Sequence, residues 1–210
     1  MQKMSPLHAI PTKRRSGNEW FREGERSLAF DLLGFWQGCF SDLVSNVTRG
    51  LLAEYLVAQA LGVAHGVREE WAAYDLETPD GTLIEVKSAA YLQSWQQKQP
   101  SKIVFNVPRT QAWDSKASQR SSAARRQAHV YVFALLQHDD KSTIEPLDVS
   151  QWVFYVVHAE RLEGRMRNQR SISLSSLKQL CERSVPYQHL AEAVEAARRL
   201  QEASLRPAKK

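Results

Sequence analysis

The sequence feature that most constrains the fold is a tight turn, TPDG at positions 78–81, between two segments with strand-like composition. A type I turn favours proline at its second position and glycine at its fourth. A type I turn followed by a left-handed glycine closes a three-residue hairpin loop. Residues 79–81 are therefore predicted to form the loop, with Thr78 opposite Thr82. This assignment fixes which side chains of the two strands share a face.

In this register Asp75 lies opposite Glu85, and Lys87 follows two residues later on the same face. Directly opposed residues have Cβ atoms about 4.5–5.5 Å apart. Asp80 sits in the turn, and five extended residues separate it from Glu85 by about 16 Å. A two-residue loop at Asp80-Gly81 would turn Asp75 to the other face, but Pro79 argues against that loop. The sequence therefore predicts a cluster of Asp75, Glu85 and Lys87.

Two carboxylates facing each other across a strand pair repel and destabilise it, unless a cation lies between them. Carboxylate and carbonyl oxygens are the ligands that Mg²⁺ prefers. Lys87 beside such an ion can orient the attacking water and neutralise developing phosphate charge. The chemistry indicated is metal-assisted hydrolysis of a phosphodiester. The alternative is an exposed strand face on which Glu and Lys merely alternate.

Apolar spacing predicts an amphipathic helix over residues 26–44 and a second helix over 51–62, LLAEYLVAQALG. The second helix is apolar on almost every side and is expected to be buried. Glu54 is its exception, because a buried carboxylate needs a cation or donor beside it. The alternative is that Glu54 lies at the helix edge, reaching solvent or pairing with Arg49.

Three further strands are predicted from apolar, β-branched runs: KIVFNV after the hairpin, then HVYVFALLQ and WVFYVVHAE. The last two are expected to be central strands covered on both faces. A basic stretch over residues 110–127 is predicted as a helix. SLSSLKQLC is predicted as a short helix and AEAVEAARRLQEA as a longer one.

One α/β domain accounts for these elements. We expect a flexible basic arm over 1–18, a single domain over 19–203 with its core at about 46–158, and a frayed tail over 204–210. No apolar run is long enough for a membrane span, and neither a secretory signal nor a disulfide or metal pattern of the two cysteines is recognisable. The expected location is the cytoplasm, away from membranes.

The formal net charge of +5 is concentrated in two basic clusters, over 102–127 and 161–170. Such clusters suit contacts with nucleic-acid phosphates, although either cluster taken alone is better explained as solvated surface. The residues of the first cluster that we consider as nucleic-acid contacts are Lys116, Arg120, Arg125 and Arg126.

The order of helix with Glu54, strand with Asp75, strand with Glu85-Val86-Lys87, strand, helix, strand resembles the PD-(D/E)xK, or restriction-endonuclease-like, nuclease superfamily over about residues 46–137. The resemblance implies an α/β fold with an α-β-β-β-α-β core and a mixed central sheet. The chain would add an N-terminal helical extension, an extra C-terminal strand and C-terminal helices. The literal Pro-Asp pair departs from the pattern, because it falls in the turn at Pro79-Asp80 rather than at Asp75.

Carried over by position, the resemblance implies Asp75 and Glu85 as metal ligands, the Val86 carbonyl as a third, and Glu54 as a direct or water-mediated ligand. Lys87 would be the catalytic lysine. The cofactor would be Mg²⁺, with Mn²⁺ possible. Polar residues often follow the lysine in this superfamily, and the candidates here are Ser88, Gln93 and Gln96, of which Gln93 is included among the nucleic-acid contacts.

Two functions remain open at this stage. The first is a divalent-metal-dependent DNA endonuclease, restriction-like or resolvase-like, with RNA a less favoured substrate. The second is a catalytically silent nuclease fold that binds DNA or a partner. A homodimer is possible, since cutting two strands usually takes two sites.

Overall fold

The structure is a computed structural model that describes residues 10–111 and 124–205, together with the backbone of 113–114 and 119–120. In chain order the elements are β1 (Trp20–Glu23), β2 (Arg26–Asp31), α1 (Leu32–Phe40), α2 (Asn46–Ala60), β3 (Leu76–Glu77), β4 (Leu83–Ala90), β5 (Val104–Asn106), β6 (Trp113–Asp114), β7 (Gln119–Arg120), β8 (Val130–Leu136), β9 (Trp152–His158), α3 (Ala159–Met166), β10 (Ser171–Ser173), α4 (Leu174–Lys178) and α5 (Leu190–Leu205). Within the described residues, no helix has the length and apolar character needed to cross a membrane.

The centre of the fold is a four-stranded mixed sheet in the order β3-β4-β8-β9. β4 runs parallel to β8, while β3 and β9 are antiparallel to their neighbours. Every residue of β8 is buried, which confirms the prediction of a central strand covered on both faces. The predicted α/β class with a mixed central sheet is likewise confirmed.

The hairpin adopts the predicted register. Leu76 pairs with Ile84, and Glu77 pairs with Leu83. The Gly81 amide donates to the Thr78 carbonyl at 2.8 Å, and the Thr78 amide donates to the Thr82 carbonyl at 3.1 Å. Gly81 has φ +80°, the left-handed conformation that favours glycine. The turn therefore aligns β3 and β4 as the sequence predicts.

Helices α2 and α5 cover one face of the sheet. Their buried side chains, among them Val57 and Leu190, pack with Ile84, Val130 and Phe154 from three strands. The opposite face is covered by α3, α4 and the β5-β10 pair, with Phe133 packed against this layer. The two layers bury β4 and β8 from both sides, so the residues at the free edge of β4 are held in a rigid frame.

The predicted helix over 26–44 is wrong in its first part. Residues 26–31 form β2, which pairs with β1 through a turn containing Gly24 at φ +60°. Asp31 then caps α1 by accepting from the Gly34 amide at 2.9 Å. The N-terminal extension is thus a hairpin followed by one short helix, because cross-strand pairing outweighs the three- and four-residue spacing of Leu28 and Leu32.

The strand predicted at KIVFNV forms outside the central sheet. β5 pairs with β10, and the neighbours of β4 in the central sheet are the short β3 on one edge and β8 on the other. The central sheet therefore does not contain the three consecutive strands of the expected α-β-β-β-α-β order. β9 also differs from expectation, because it is an edge strand of the sheet.

The basic stretch over 110–127 contains no helix among its described residues. Thr110 forms an isolated antiparallel bridge with Arg125, and β6 pairs with β7 inside it. The short helix and the longer helix predicted near the C-terminus are confirmed as α4 and α5, while α3 and β10 were not predicted. Of the predicted arm and tail, residues 1–9 and 206–210 lie outside the described residues, and α5 continues to Leu205.

Candidate active site

The candidate site lies at the edge of β4 where β3 stops. β3 covers only two residues, so the edge of β4 beyond Ile84 has no strand partner there. Asp75 occupies this position. Its backbone amide donates to the Ile84 carbonyl at 3.0 Å, and its carboxylate accepts from the Val86 amide at 2.7 Å. A short strand thus places a carboxylate where a ladder hydrogen bond would otherwise form.

Asp75 is held next to the other predicted site residues. A strand residue directs its N–H and its C=O to the same edge, so the Val86 carbonyl faces the edge at which Asp75 lies. Glu85 and Lys87, the neighbours of Val86 along β4, form an ion pair with each other. Their side chains are 21% and 29% exposed, and that of Asp75 is 15% exposed.

The charges of these groups act on one another. Burial raises the pKa of Glu85 above its usual range, and the charge of Asp75 raises it further, while Lys87 acts in the opposite direction. Tyr131 pairs with Glu85 across the parallel β4-β8 ladder. Its pKa is raised by burial and by the negative charge of Glu85. The site is therefore a partly buried group of acids whose mutual repulsion is only partly offset.

Glu54 reaches the site from α2 and contacts Arg68, a residue that the sequence reasoning missed. An Arg68 Nη2 donates to Glu54 Oε1 at 3.1 Å, and the same nitrogen lies 3.9 Å from Asp75 Oδ1. Burial raises the pKa of Glu54, the hydrogen bond from Arg68 lowers it, and the charge of Asp75 raises it. Arg68 therefore bridges the helical acid and the acid of the hairpin.

Glu54 does not pair with Arg49, because Arg49 is engaged elsewhere. The Glu54 side chain is 14% exposed. Arg49 donates to the Val44 carbonyl and to Asn46 Oδ1, both at 2.7 Å. A sequence signal for Arg68 did exist, because a carboxylate on a buried helix needs a cation and Arg68 lies between Glu54 and Asp75.

A cavity of about 550 Å³ opens beside this cluster. Glu54, Arg68 and Asp75 lie in its wall, together with Tyr55 and Tyr74. Glu85 and Lys87 are not part of that wall. The cavity gives a polymer or a phosphate group access to the cluster from the side of α2 and of the 61–75 connection.

The donor chemistry fits a hard divalent cation, although the acids are not grouped as a closed cage. Within the described residues, no three His, Cys, Asp or Glu side chains converge closely enough to hold a metal ion as they stand. Mg²⁺ usually binds through one or two carboxylates and keeps several waters, so a cage is not required. Asp75, Glu85 and the Val86 carbonyl would supply such a set, and a cation would relieve the repulsion that raises the Glu85 pKa.

Of the residues considered for nucleic-acid contact, two of the three whose side chains the structure describes are buried. Arg126 is buried and donates to the Val107 and Gln169 carbonyls at 3.0 and 2.7 Å. It therefore connects the segment after β5 with the segment after α3. Gln93 is buried against Arg49 and Ser101. Both have their hydrogen bonds within the protein. Arg125 is exposed, and the side chains of Lys116 and Arg120 lie outside the described residues.

A family model described as bacteriophage T4 endonuclease IV matches residues 39–176. The chain belongs to the bacteriophage T4 endonuclease IV family. The matched span runs from the end of α1 into α4 and contains Glu54, Arg68, Asp75, Glu85 and Lys87. No curated protein and no solved structure matches the chain. Membership in this endonuclease family supports the expected nuclease class, while the wider PD-(D/E)xK resemblance stays a prediction.

Proposed function

We propose that the protein is a divalent-metal-dependent DNA endonuclease whose site is formed by Glu54, Asp75, Glu85 and Lys87. The observation that carries the proposal is that α2, the start of the hairpin and β4 bring these residues within electrostatic range of one another, inside the span that matches an endonuclease family. Surface decoration would leave such side chains exposed and independent. Here all four are more than two-thirds buried, and Asp75 and Lys87 both act on the pKa values of Glu54 and Glu85.

The reaction is hydrolysis of a phosphodiester. Water adds to phosphorus, one phosphorus–oxygen bond of the backbone breaks, and the products are a phosphate monoester and a free hydroxyl. When bound, a divalent ion at Asp75, Glu85 and the Val86 carbonyl would supply Lewis-acid activation. Mg²⁺ is the proposed ion, with Mn²⁺ as a substitute.

The chain's own groups provide positioning and charge. Lys87 can donate a hydrogen bond to the attacking water or to a phosphate oxygen, which stabilises the charge that develops during attack. Glu85 holds the Lys87 ammonium in place. Glu54, with its pKa raised by burial, can accept or release a proton closer to neutrality than an exposed carboxyl. Arg68, with a side chain 41% exposed, can reach a phosphate from the cavity.

The alternative is a nuclease fold that binds DNA or a partner without cutting. One feature favours it, since Glu54 is engaged by Arg68 and Glu85 by Lys87, as in a purely structural charge network. The two functions differ in one assay. The wild-type protein is incubated with supercoiled, linear and four-way-junction DNA and with RNA, each with Mg²⁺, with Mn²⁺ or with EDTA. We expect metal-dependent DNA cleavage that EDTA abolishes, and salt-sensitive binding without product would favour the alternative.

Arg68→Ala is expected to destabilise the fold by about 1 kcal/mol, because it leaves the carboxylate of Glu54 without its cation. The matched control is Arg22→Ala, which removes an exposed hairpin ion pair with Glu25 and should change stability by no more than about 0.5 kcal/mol. Chemical denaturation measures both. Adding Glu54→Gln to Arg68→Ala should restore the free energy of unfolding. A double variant as unstable as Arg68→Ala alone would contradict the assigned pairing.

A further inference from the structure

The N-terminal unit, residues 17–42, exposes an unusual amount of aromatic surface. Its exposed large apolar side chains are Trp20, Phe21, Phe30, Leu33, Phe35 and Phe40, with exposures from 39% to 56%. The Phe21 and Phe30 rings lie 4.9 Å apart, and the Phe35 and Phe40 rings 6.3 Å apart. These rings touch one another and remain accessible. Exposed apolar surface on this scale marks an interaction site.

Helix α1 is the centre of this surface. Its sequence LLGFWQGCF carries a single polar side chain, yet none of its residues is buried. Such a helix is stable only when something covers it. Gly34 and Gly38 lie one turn apart on it. A Cβ built on Gly38 would meet no described atom within 4 Å, and one on Gly34 would meet only the capping Asp31 carboxylate. The close packing that two such glycines permit is therefore unused within the chain.

The charge of the N-terminal unit indicates which kind of molecule binds its aromatic surface. Residues 17–42 carry five acidic residues and two basic ones, Arg22 and Arg26. Arg22 pairs with Glu25 and Arg26 with Glu23, so both cations are neutralised inside the hairpin. Nucleic-acid backbones and anionic membrane surfaces are recognised through an excess of basic side chains. The acidic N-terminal unit lacks that excess, so its charge favours a protein as the binding partner.

We propose that residues 20–40 form the interface between two copies of this chain, with the two α1 helices crossing at Gly34 and Gly38. A helix crossing of this kind is self-complementary about a two-fold axis, because each copy presents the same glycines and the same flanking rings. The remainder of the chain is basic, since the whole carries a net charge of +5 while the unit is acidic. The acidic N-terminal unit of one copy thus also complements the basic remainder of the other copy.

The available area suits a stable dimer. Each of the five aromatic side chains has a surface of about 150–250 Å², and each is about half exposed. Trp20 and Phe21 follow each other in β1 and point to opposite faces of the hairpin, so one interface can take four of these rings, about 400 Å² of apolar area per copy. Homodimer interfaces are about 65% apolar, so this corresponds to about 600 Å² per partner, the lower end of standard specific interfaces. The inference does not rest on the proposed catalytic site, because the unit lies almost wholly outside the matched span.

The test is sedimentation velocity of the full chain at about 10 µM, where an interface with a micromolar or tighter Kd is occupied. We expect the wild type to be a dimer and Gly38→Gln to weaken it at least about tenfold. The control is Gly164→Gln, because Gly164 is also exposed, helical and open to an added Cβ. Both substitutions favour helix formation, so loss of fold does not explain a difference between them.

A second measurement uses Cys39, which is exposed next to Gly38. Burial raises the pKa of the Cys181 thiol to about 11, so a short bismaleimide should link Cys39 to the Cys39 of the second copy. We expect a covalent dimer that Cys39→Ser and Gly38→Gln both remove. A wild type that stays monomeric, or a dimer unchanged by Gly38→Gln, would overturn the proposal. A monomer whose tryptophan fluorescence responds to single-stranded DNA, with a response that Trp20→Phe removes, would overturn the proposal and assign the rings to base stacking.

Discussion

Lys87→Ala is expected to lower the rate of metal-dependent DNA cleavage by about 10²–10⁴-fold, because it removes a positioned cation and donor at the reacting phosphate. Lys87 is held by Glu85 at a site that is only partly exposed, so its ammonium is already placed when substrate arrives. The loss should fall mainly on the catalytic rate. DNA affinity should change little, since one contact among many contributes modestly to binding.

The matched control is Lys178→Ala, which removes an exposed lysine at the end of α4 and should leave the rate unchanged. Thermal unfolding of both variants separates a catalytic loss from a loss of fold. Cleavage by purified Lys87→Ala at the wild-type rate would remove Lys87 from the proposed site. An equal loss of cleavage in Lys178→Ala would mean that the rate depends on the overall positive charge of the protein and not on Lys87 itself.

Glu85→Gln is expected to abolish the stabilisation of the protein by Mg²⁺. A ligand that binds only the folded state at about 100 times its Kd stabilises it by about 2.7 kcal/mol. For a chain of this size that corresponds to a rise in Tm of about 5–10 °C. The wild type should show this rise with Mg²⁺, and Glu85→Gln should not, because one of its two proposed carboxylate ligands is gone.

Without metal the same substitution should stabilise the protein at neutral pH. Burial raises the pKa of Glu85 in the folded state, so the unfolded chain ionises first as pH rises. As pH rises from the pKa of Glu85 in the unfolded chain to its higher pKa in the folded protein, the free energy of unfolding of the wild type falls. It stays at the lower value at all higher pH. Glu85→Gln lacks that decrease. The exposed Glu182 provides the control, and Glu182→Gln with the same metal response and pH profile as Glu85→Gln would contradict the role assigned to Glu85.

Local chemistry made part of the site predictable. Pro79 and Gly81 allow one type of turn, and that turn fixes the neighbourhood of Asp75 and Glu85 without any knowledge of the remaining chain. The burial of β8 follows from an apolar run that needs two covered faces. The apolar run at 51–60 likewise indicates a helix, although α2 begins five residues before the predicted start, at Asn46, where Ser45 caps it. These elements depend on interactions within about fifteen residues, which a sequence displays directly.

Other elements depend on contacts between distant segments. β5 pairs with β10, more than sixty residues later in the chain, and no pattern in KIVFNV specifies that partner. Arg68 lies in a connection without regular periodicity, and only the fold brings it to Glu54. In the N-terminal unit, the spacing of apolar residues fits a helix, whereas the turn at Gly24 fits a hairpin. The pairing of β1 with β2 favours the hairpin.

The proposed metal site requires Asp75 and Glu85 to hold a divalent ion together at the edge of β4. A Mn²⁺-binding titration followed by electron paramagnetic resonance tests this, comparing the wild type with the double variant Asp75→Asn, Glu85→Gln. We expect about one tightly bound ion per chain in the wild type. We also expect at least tenfold weaker binding in a double variant that remains folded by circular dichroism. Equal Mn²⁺ affinity in the two proteins would contradict the proposed site.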